Sequence, residues 1–556
     1  MGQPDTFDHA TKTQDTTEVD RLAEVRVANA QEHELTFFQA LRVYPKGVFW
    51  SMVMSTAVVM EGYDTKLIGT LFAQPAFQKA YGEPVRGKTD SYQITAAWQS
   101  GLSNGSTVGM LGGLLIAGII SERYGFRITM ITGLSIIIAL IFITFFAPSL
   151  VVLEVGQCLF GIPLGLFQTT PVIYALEISP LCLRAYLTNY VNFCWAFGQL
   201  IATGVLRGVL NRTDHWAYRI PFAIQWLWPT ILIPLLFFAP ESPWWLVRRG
   251  RLDDARAVVK RLTSTRNIDF DIEKNIALMI ATTEHERAVN AETSYRACFQ
   301  GTNLRRTMIV IGIYCVQTLN GNPLRGYSTY FLEQAGLPTT QAFNMTIAGF
   351  AVAIVGGFFS VSFHSVPNTL LADANRNEQW VLLPISGRRA IYVWSLVLMF
   401  IIMILVGALG VPQSSHPKGS YAWAIGSILL VSSFLYNCSI GPLTNTLCSE
   451  IPSALLRSKS IVLARWSYAI TTIVAGVLTP YQLNPTAWNW GAKTGFFWAG
   501  GCLISVVFAF FCVPEPKDRT TAELDILFER NVPSRKFSST AVDVVEAISQ
   551  DEVKTV

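Results

Sequence analysis

The chain has 556 residues, 51% hydrophobic and 12% aromatic but only 14% charged, where a soluble globular protein carries roughly 25%. Its 42 Lys and Arg against 38 Asp and Glu leave a net charge of +4, too balanced for a nucleic-acid partner. An ordinary water-soluble enzyme is excluded, and the lipid bilayer becomes the solvent to consider: a core about 30 Å thick needs about 20 apolar residues per helical crossing.

In chain order, residues 1–47 form a polar tail with no short apolar core behind a basic start. No cleavable signal peptide is expected, and the first span does the targeting. Apolar runs follow near 48 to 73, 95 to 119, 128 to 147, 151 to 173, 187 to 206 and 218 to 239, a first six-helix bundle over 48–239. The connecting segment 240–306 is polar; Leu252-Asp-Asp-Ala-Arg-Ala-Val-Val-Lys-Arg-Leu262 spaces its apolar residues helically, so amphipathic helix is predicted there. Further runs lie near 307 to 331, 342 to 385 (interrupted), 390 to 411, 421 to 447, 461 to 481 and 495 to 513, a second bundle over 307–514, before a tail over 515–556. Twelve spans result. Basic residues gather in alternate connections, at Arg123, Arg127, Arg184, Arg248, Arg249, Arg251, Arg388, Arg389, Arg457 and Lys459. By the positive-inside rule these connections and both termini face the cytoplasm, with the plasma membrane the expected location. Asn211-Arg-Thr213 is then an exterior glycosylation-type triplet, a pattern that also arises by chance.

One stretch breaks the pattern. Val361-Ser-Phe-His-Ser-Val-Pro-Asn-Thr-Leu-Leu-Ala-Asp-Ala-Asn-Arg-Asn-Glu-Gln379 is polar inside an apolar run, and its removal joins Gly357-Phe-Phe-Ser360 to Trp380-Val-Leu-Leu-Pro-Ile-Ser386. Val-Ser fits a donor-like GT-N-AGT and Gln a CAG acceptor, so 361–379 reads as a retained intron; a real loop at a broken helix is the alternative. The nine cysteines form no CxxC pair and sit mostly in apolar runs, and no histidine lies in a convincing span. Neither disulfides, metal ligation nor a cofactor is expected, and no nucleotide loop or nucleophile elbow indicates an enzyme.

The halves echo each other. Glu177-Ile-Ser-Pro-Leu-Cys-Leu-Arg184 follows the fourth span and Glu450-Ile-Pro-Ser-Ala-Leu-Leu-Arg457 the tenth; Ser121-Glu-Arg-Tyr-Gly-Phe-Arg127 matches Ser386-Gly-Arg-Arg389, and Pro240-Glu-Ser-Pro243 matches Pro514-Glu-Pro516. Three signatures repeated in one order mark a duplicated six-span unit. These residues resemble the sugar porters of the major facilitator superfamily, an all-α membrane fold of twelve transmembrane helices in two pseudo-symmetric bundles around a midplane site. Within it the chain is most similar to fungal α-glucoside (maltose-type) proton symporters, through Glu61-Gly-Tyr-Asp-Thr65, Ala97-Trp-Gln-Ser-Gly-Leu-Ser-Asn-Gly105, Pro240-Glu-Ser-Pro-Trp-Trp-Leu246, Gly326-Tyr-Ser-Thr-Tyr-Phe331, Val462-Leu-Ala-Arg465 and Val532-Pro-Ser-Arg-Lys-Phe537.

Ionisable groups at membrane depth are costly and are functional candidates by default. Glu61 and Asp64 are assigned to proton coupling, because a carboxyl withdrawn from water can take up and release a proton; Arg465 is their counter-charge, and similar porters carry an arginine in this context. Such symporters also commonly carry a glutamate in span two where this chain reads Val108-Gly-Met110, so facilitated diffusion stays an alternative mechanism. In span seven, Gln317, Asn320, Asn322 and Tyr327 suit a polyol, since amides donate and accept, while Gly321, Pro323 and Gly326 are expected to break the helix; interhelical packing is the competing reading. The resemblance adds Gln199 and Asn445 as sugar-binding positions. Arg325 is left with three fates: pairing with Glu333, reaching to the exterior, or selecting an anionic substrate. Arg123, Arg127, Glu177, Arg184, Glu241, Arg388, Arg389, Glu450 and Arg457 either set topology or form a cytoplasmic gate of ion pairs across the halves, the role the resemblance favours.

The expected function is alternating-access import of an α-glucoside such as maltose with protons as the coupling ion, by a monomer whose partners are the sugar and the bilayer. The alternatives are a carrier of another sugar or acidic sugar-like metabolite, and a non-transporting sugar sensor.

Overall fold

The computed structural model describes residues 37–84, 92–264, 271–292, 295–364, 387–415, 419–453, 456–516, 521–537 and 540. Span one is two helices, Pro45–Ser55 and Ala57–Leu71, meeting at Thr56, whose hydroxyl donates to the Met52 carbonyl at 2.8 Å. Spans two to five are Ala96–Tyr124, Phe126–Phe145, Leu150–Ile178 and Leu181–Val209, and span six is the pair Trp216–Ile224 and Leu227–Phe237. A two-stranded turn, Glu83–Pro84 against Tyr92–Gln93, lies between spans one and two.

The second half repeats the order. Span seven comes in three pieces, Gly301–Leu319, Asn322–Gly326 and Ser328–Gln334; spans eight and nine are Thr339–His364 and Arg388–Ser415. Span ten runs Gly419–Leu435 and Gly441–Glu450 with a π turn, Tyr436–Ile440, between them; spans eleven and twelve are Arg457–Leu483 and Thr494–Cys512. Span eight is helical from Thr339 to His364, so 361–364 of the interrupting stretch continue the helix, and its stretch Thr339–Phe359 is already apolar enough to cross a bilayer. Residues 365–379 of the proposed intron lie outside the described residues.

Between the halves, Leu252–Leu262 is amphipathic as its spacing predicts. Ala255, Val259 and Leu262 are buried, while Asp253 and Asp254 open the helix and Lys260 and Arg261 close it, each sign favourable to the helix dipole. Helices Pro243–Arg248 and Ile272–Glu292 pack with it.

Among the described residues, nine helices are long and apolar enough by composition to cross a membrane. The remaining three spans are one, five and seven, the ones that carry Glu61, Gln199 and Gln317. Small residues let polar spans pack tightly: a Cβ on Gly62 would lie 2.0 Å from the Trp195 carbonyl oxygen of span five, and one on Gly198 2.0 Å from that of Val59 in span one.

Candidate functional site

Glu61 and Asp64 are three residues apart on span one, both buried. Glu61 turns toward the other half: Gln168 of span four donates to its Oε1 at 3.5 Å, and the Arg465 guanidinium of span eleven, beside Tyr314, acts on it electrostatically. Asp64 turns into its own half, where Gln225 of span six donates to Oδ1 at 2.9 Å and Gln157 of span four flanks it. Arg465 is therefore the counter-charge of Glu61, not of both carboxylates; three residues of helix turn the two side chains onto different neighbours. One oxygen of each carboxylate, Glu61 Oε2 and Asp64 Oδ2, is buried without a hydrogen-bond partner.

Span one carries a third buried ionisable side chain, which the sequence reading missed. Lys66 is buried, and its Nζ donates across the halves to the Gly326 carbonyl at 2.5 Å and Ser328 Oγ at 3.0 Å. The signal was available, since Lys66 is a charged residue at membrane depth two positions from Asp64.

Span seven breaks where its glycines and proline predict. Gly321 has φ +82°, in the left-handed region that favours glycine, and a Cβ there would meet Met403 at 2.7 Å. Pro323 sits in the first turn of the next helix, where its missing N–H costs nothing. The break places Asn320 and Asn322 against Arg325, whose Nη2 donates to Asn320 Oδ1 at 2.8 Å and to Asn322 Oδ1 at 3.4 Å. The guanidinium also lies 4.5 Å from the ring centre of Tyr436, in the π turn of span ten, a distortion that often marks a functional site. Pairing with Glu333 is not what happens: Glu333 accepts from Thr339 at 3.0 Å. Arg325 is half-buried, with its Nη1 shielded from solvent.

The other sugar candidates divide. Tyr327 is buried and stacked on Phe72 of span one, centroids 6.4 Å apart; Gln199 is buried on span five and Gln317 half-buried on span seven. Asn445 is exposed on span ten, nine residues, or about 13 Å of helix, beyond Tyr436. The structure brings Tyr436 to the broken helix. Tyr436 was missed because nothing local distinguishes it from a packing aromatic.

The face that carries the alternate basic connections is built from two equivalent clamps. Glu241 accepts from the backbone N–H groups of Phe126 at 2.9 Å and Arg127 at 3.2 Å, at the start of span three. Glu515 accepts from those of Arg388 and Arg389, both at 3.0 Å, at the start of span nine. Each carboxylate sits where a helix N-terminus is positive. Burial holds the Glu241 carboxyl above its usual range, against the opposing pull of the Ser242, Phe126 and Arg127 N–H groups and the Arg127 charge.

Around the clamps, Arg248 pairs with Glu177 at 2.6 Å and Arg388 with Glu450 at 2.9 Å. Arg457 acts on Glu450 through space, Arg184 Nε donates to the Ser179 carbonyl at 3.3 Å, and Arg389 reaches the Phe510 carbonyl at 2.8 Å. Arg123 lies over the Tyr124 ring, and Arg127 Nη1 approaches the Ala239 carbonyl at 3.5 Å. The sequence left two readings, topology setting or ion pairs between the halves; the two pairs described on this face, Arg248–Glu177 and Arg388–Glu450, each lie within one half.

The described hydrogen bonds between the halves lie toward the opposite face. Besides Lys66, Ser100 donates to the Val477 carbonyl at 3.1 Å, Tyr330 to Gln93 at 3.2 Å, Asn484 to the Ile94 carbonyl at 2.7 Å, and Arg207 to Asn344 at 3.0 Å.

Two matched six-helix bundles, with buried charge and a broken polar helix where they meet, define a secondary transporter. The chain matches the family described as sugar (and other) transporter over residues 50–366 and 379–528 and belongs to it. It is 39% identical to the general α-glucoside permease of Saccharomyces cerevisiae over 532 residues, covering 95% of this chain and 82% of that one. It is 40% identical to a maltose permease of the same yeast over 528 residues, covering 94% and 82%. Its fold is similar to that of the xylose transporter XylE from E. coli in an inward-open conformation, with TM-score 0.62, 18% identity and 86% and 99% of the two chains covered. The family match omits residues 367–378, inside the polar stretch that interrupts the reading of span eight.

Proposed function

We propose that this integral membrane protein imports an α-glucoside such as maltose together with a proton, with the basic face and both termini in the cytoplasm, as a functional monomer of the plasma membrane. The observation that carries the coupling is Glu61, buried on span one and facing Arg465 across the halves. When Glu61 is ionised, Arg465 attracts it; when it is protonated, that attraction is lost and the halves are freer to rock. A proton bound from outside and released inside thereby accompanies the sugar. Asp64, held by Gln225, keeps the second carboxylate of span one near this route although span two offers Met110. The sugar site is read at the span-seven break, with amides from Asn320 and Asn322 and the ring of Tyr436. The likeness to α-glucoside and maltose permeases over nearly the whole chain supports this cargo. The tie between Lys66 and span seven, with its companions on the same side, supports an exterior-closed carrier as the state described here.

Uptake of labelled maltose into cells lacking their own permeases tests the reading. Accumulation above the external concentration that collapses with a protonophore is expected. Equilibration unaffected by the protonophore would replace symport with facilitated diffusion, and absence of uptake would remove the α-glucoside assignment.

A further inference from the structure

Arg325 brings a permanent charge and five N–H donors into the meeting point of the halves, and its described partners are all neutral: the amide oxygens of Asn320 and Asn322 and the ring of Tyr436. The acids of the same region are engaged elsewhere. Glu333 accepts from Thr339, Glu61 faces Gln168 and Arg465, and Asp64 is held by Gln225. A second cation adds to the imbalance. Lys66 Nζ lies on the carbonyls of Gly326 and Arg325 and on Ser328 Oγ, with no carboxylate among its described contacts.

Two donors are left over at this point. Arg325 Nη1 and Asn320 Nδ2 are buried without hydrogen-bond partners, and the groups that carry them are bonded to each other at 2.8 Å. A buried charge requires pairing and satisfied hydrogen bonds to be stable. A carboxylate would satisfy a free donor of this cationic unit, and the bond formed would be charge-assisted.

We propose that Arg325, positioned by Asn320 and Tyr436, selects an α-glucoside that carries a carboxylate, so that the preferred cargo is an acidic disaccharide rather than a neutral one. This rests on the reading of the protein as an α-glucoside importer and narrows its substrate. The carboxylate supplies the charge that the protein leaves out.

The probes are maltobionate and maltitol, which share an α-1,4-linked glucose and differ by a carboxylate against a hydroxymethyl group. On purified full-length protein, maltobionate is expected to bind about tenfold or more tighter than maltitol. Arg325→Gln should bring the two within about twofold, chiefly by weakening maltobionate, whereas Arg325→Lys should keep part of the preference. Asn320→Asp is the near-isosteric second variant: it places a carboxylate permanently on Arg325 and should abolish the preference with the thermal unfolding midpoint retained. Equal or tighter binding of maltitol by the parent would overturn the proposal, as would a preference that survives both Arg325→Gln and Asn320→Asp. Maltose uptake separates the two levels: accumulation of maltose without a maltobionate preference removes only the acidic specificity, and accumulation of neither sugar removes the importer reading with it.

Discussion

Glu61 and Asp64 show how much depends on which neighbour a side chain meets. Both are carboxylates of one helix and both are buried, yet only Glu61 faces a charge of the opposite half. Glu61→Gln should therefore reduce the accumulation ratio to about one, while exchange of labelled for unlabelled sugar persists. Full accumulation by that variant would remove Glu61 from coupling. Asp64→Asn tests the second carboxylate in the same assay; it keeps the shape that Gln225 recognises, so loss of accumulation with exchange intact is expected from the missing charge rather than from misfolding. The residue-level candidates were legible because charge at membrane depth is rare. The division of labour between them was not, because the turn from one helix face to another is only meaningful once the neighbouring helices are in place.

At the scale of elements, close backbone approach holds the polar spans together. Spans one and five cross through Gly62 and Gly198, where an added Cβ would overlap carbonyl oxygens. Gly198→Val should cost about 1–3 kcal/mol or more and lower the thermal midpoint of the detergent-purified protein; an unchanged midpoint would show that the crossing can widen freely. The clamps of Glu241 and Glu515 make a second case. Each anchors the third span of its half through two backbone N–H groups, and losing one carboxylate should cost about 1–2 kcal/mol. Because the clamps occupy different halves, the double variant Glu241→Gln with Glu515→Gln should show additive losses in chemical unfolding; strong non-additivity would mean the halves unfold as one. Span eight is complete without the polar stretch that follows it, and the family match skips 367–378. Sequencing of spliced message is accordingly expected to return transcripts without the codons for 361–379; a population that always contains them would establish the stretch as part of the protein.

The molecule as a whole is tied across its halves on one side. Bonds from Lys66, Ser100, Tyr330, Asn484 and Arg207 join the halves away from the basic face, and the two ion pairs described on the basic face, Arg248–Glu177 and Arg388–Glu450, each lie within one half. Opening toward the exterior must break the Lys66 contacts. Lys66→Met should consequently raise labelling, by an impermeant thiol reagent added outside, of a cysteine placed at Asn104, where span two approaches Gly476 of span eleven. Equal labelling with lysine or methionine at 66 would show that other contacts hold the exterior shut.

The amino-acid sequence by itself determined the number and order of the spans, the duplication of the six-span unit, the break in span seven and the carboxylates of span one. Each of these is written in local signals: runs of apolar residues, repeated motifs, helix-breaking residues and charges without water. The tertiary structure alone decided that Arg465 belongs to Glu61, that Gln225 belongs to Asp64, that Lys66 bridges to span seven, and that Tyr436 lies beside Arg325. Those pairings join residues far apart in the chain, and their geometry follows from how helices cross and rotate against one another, which no short window of sequence encodes.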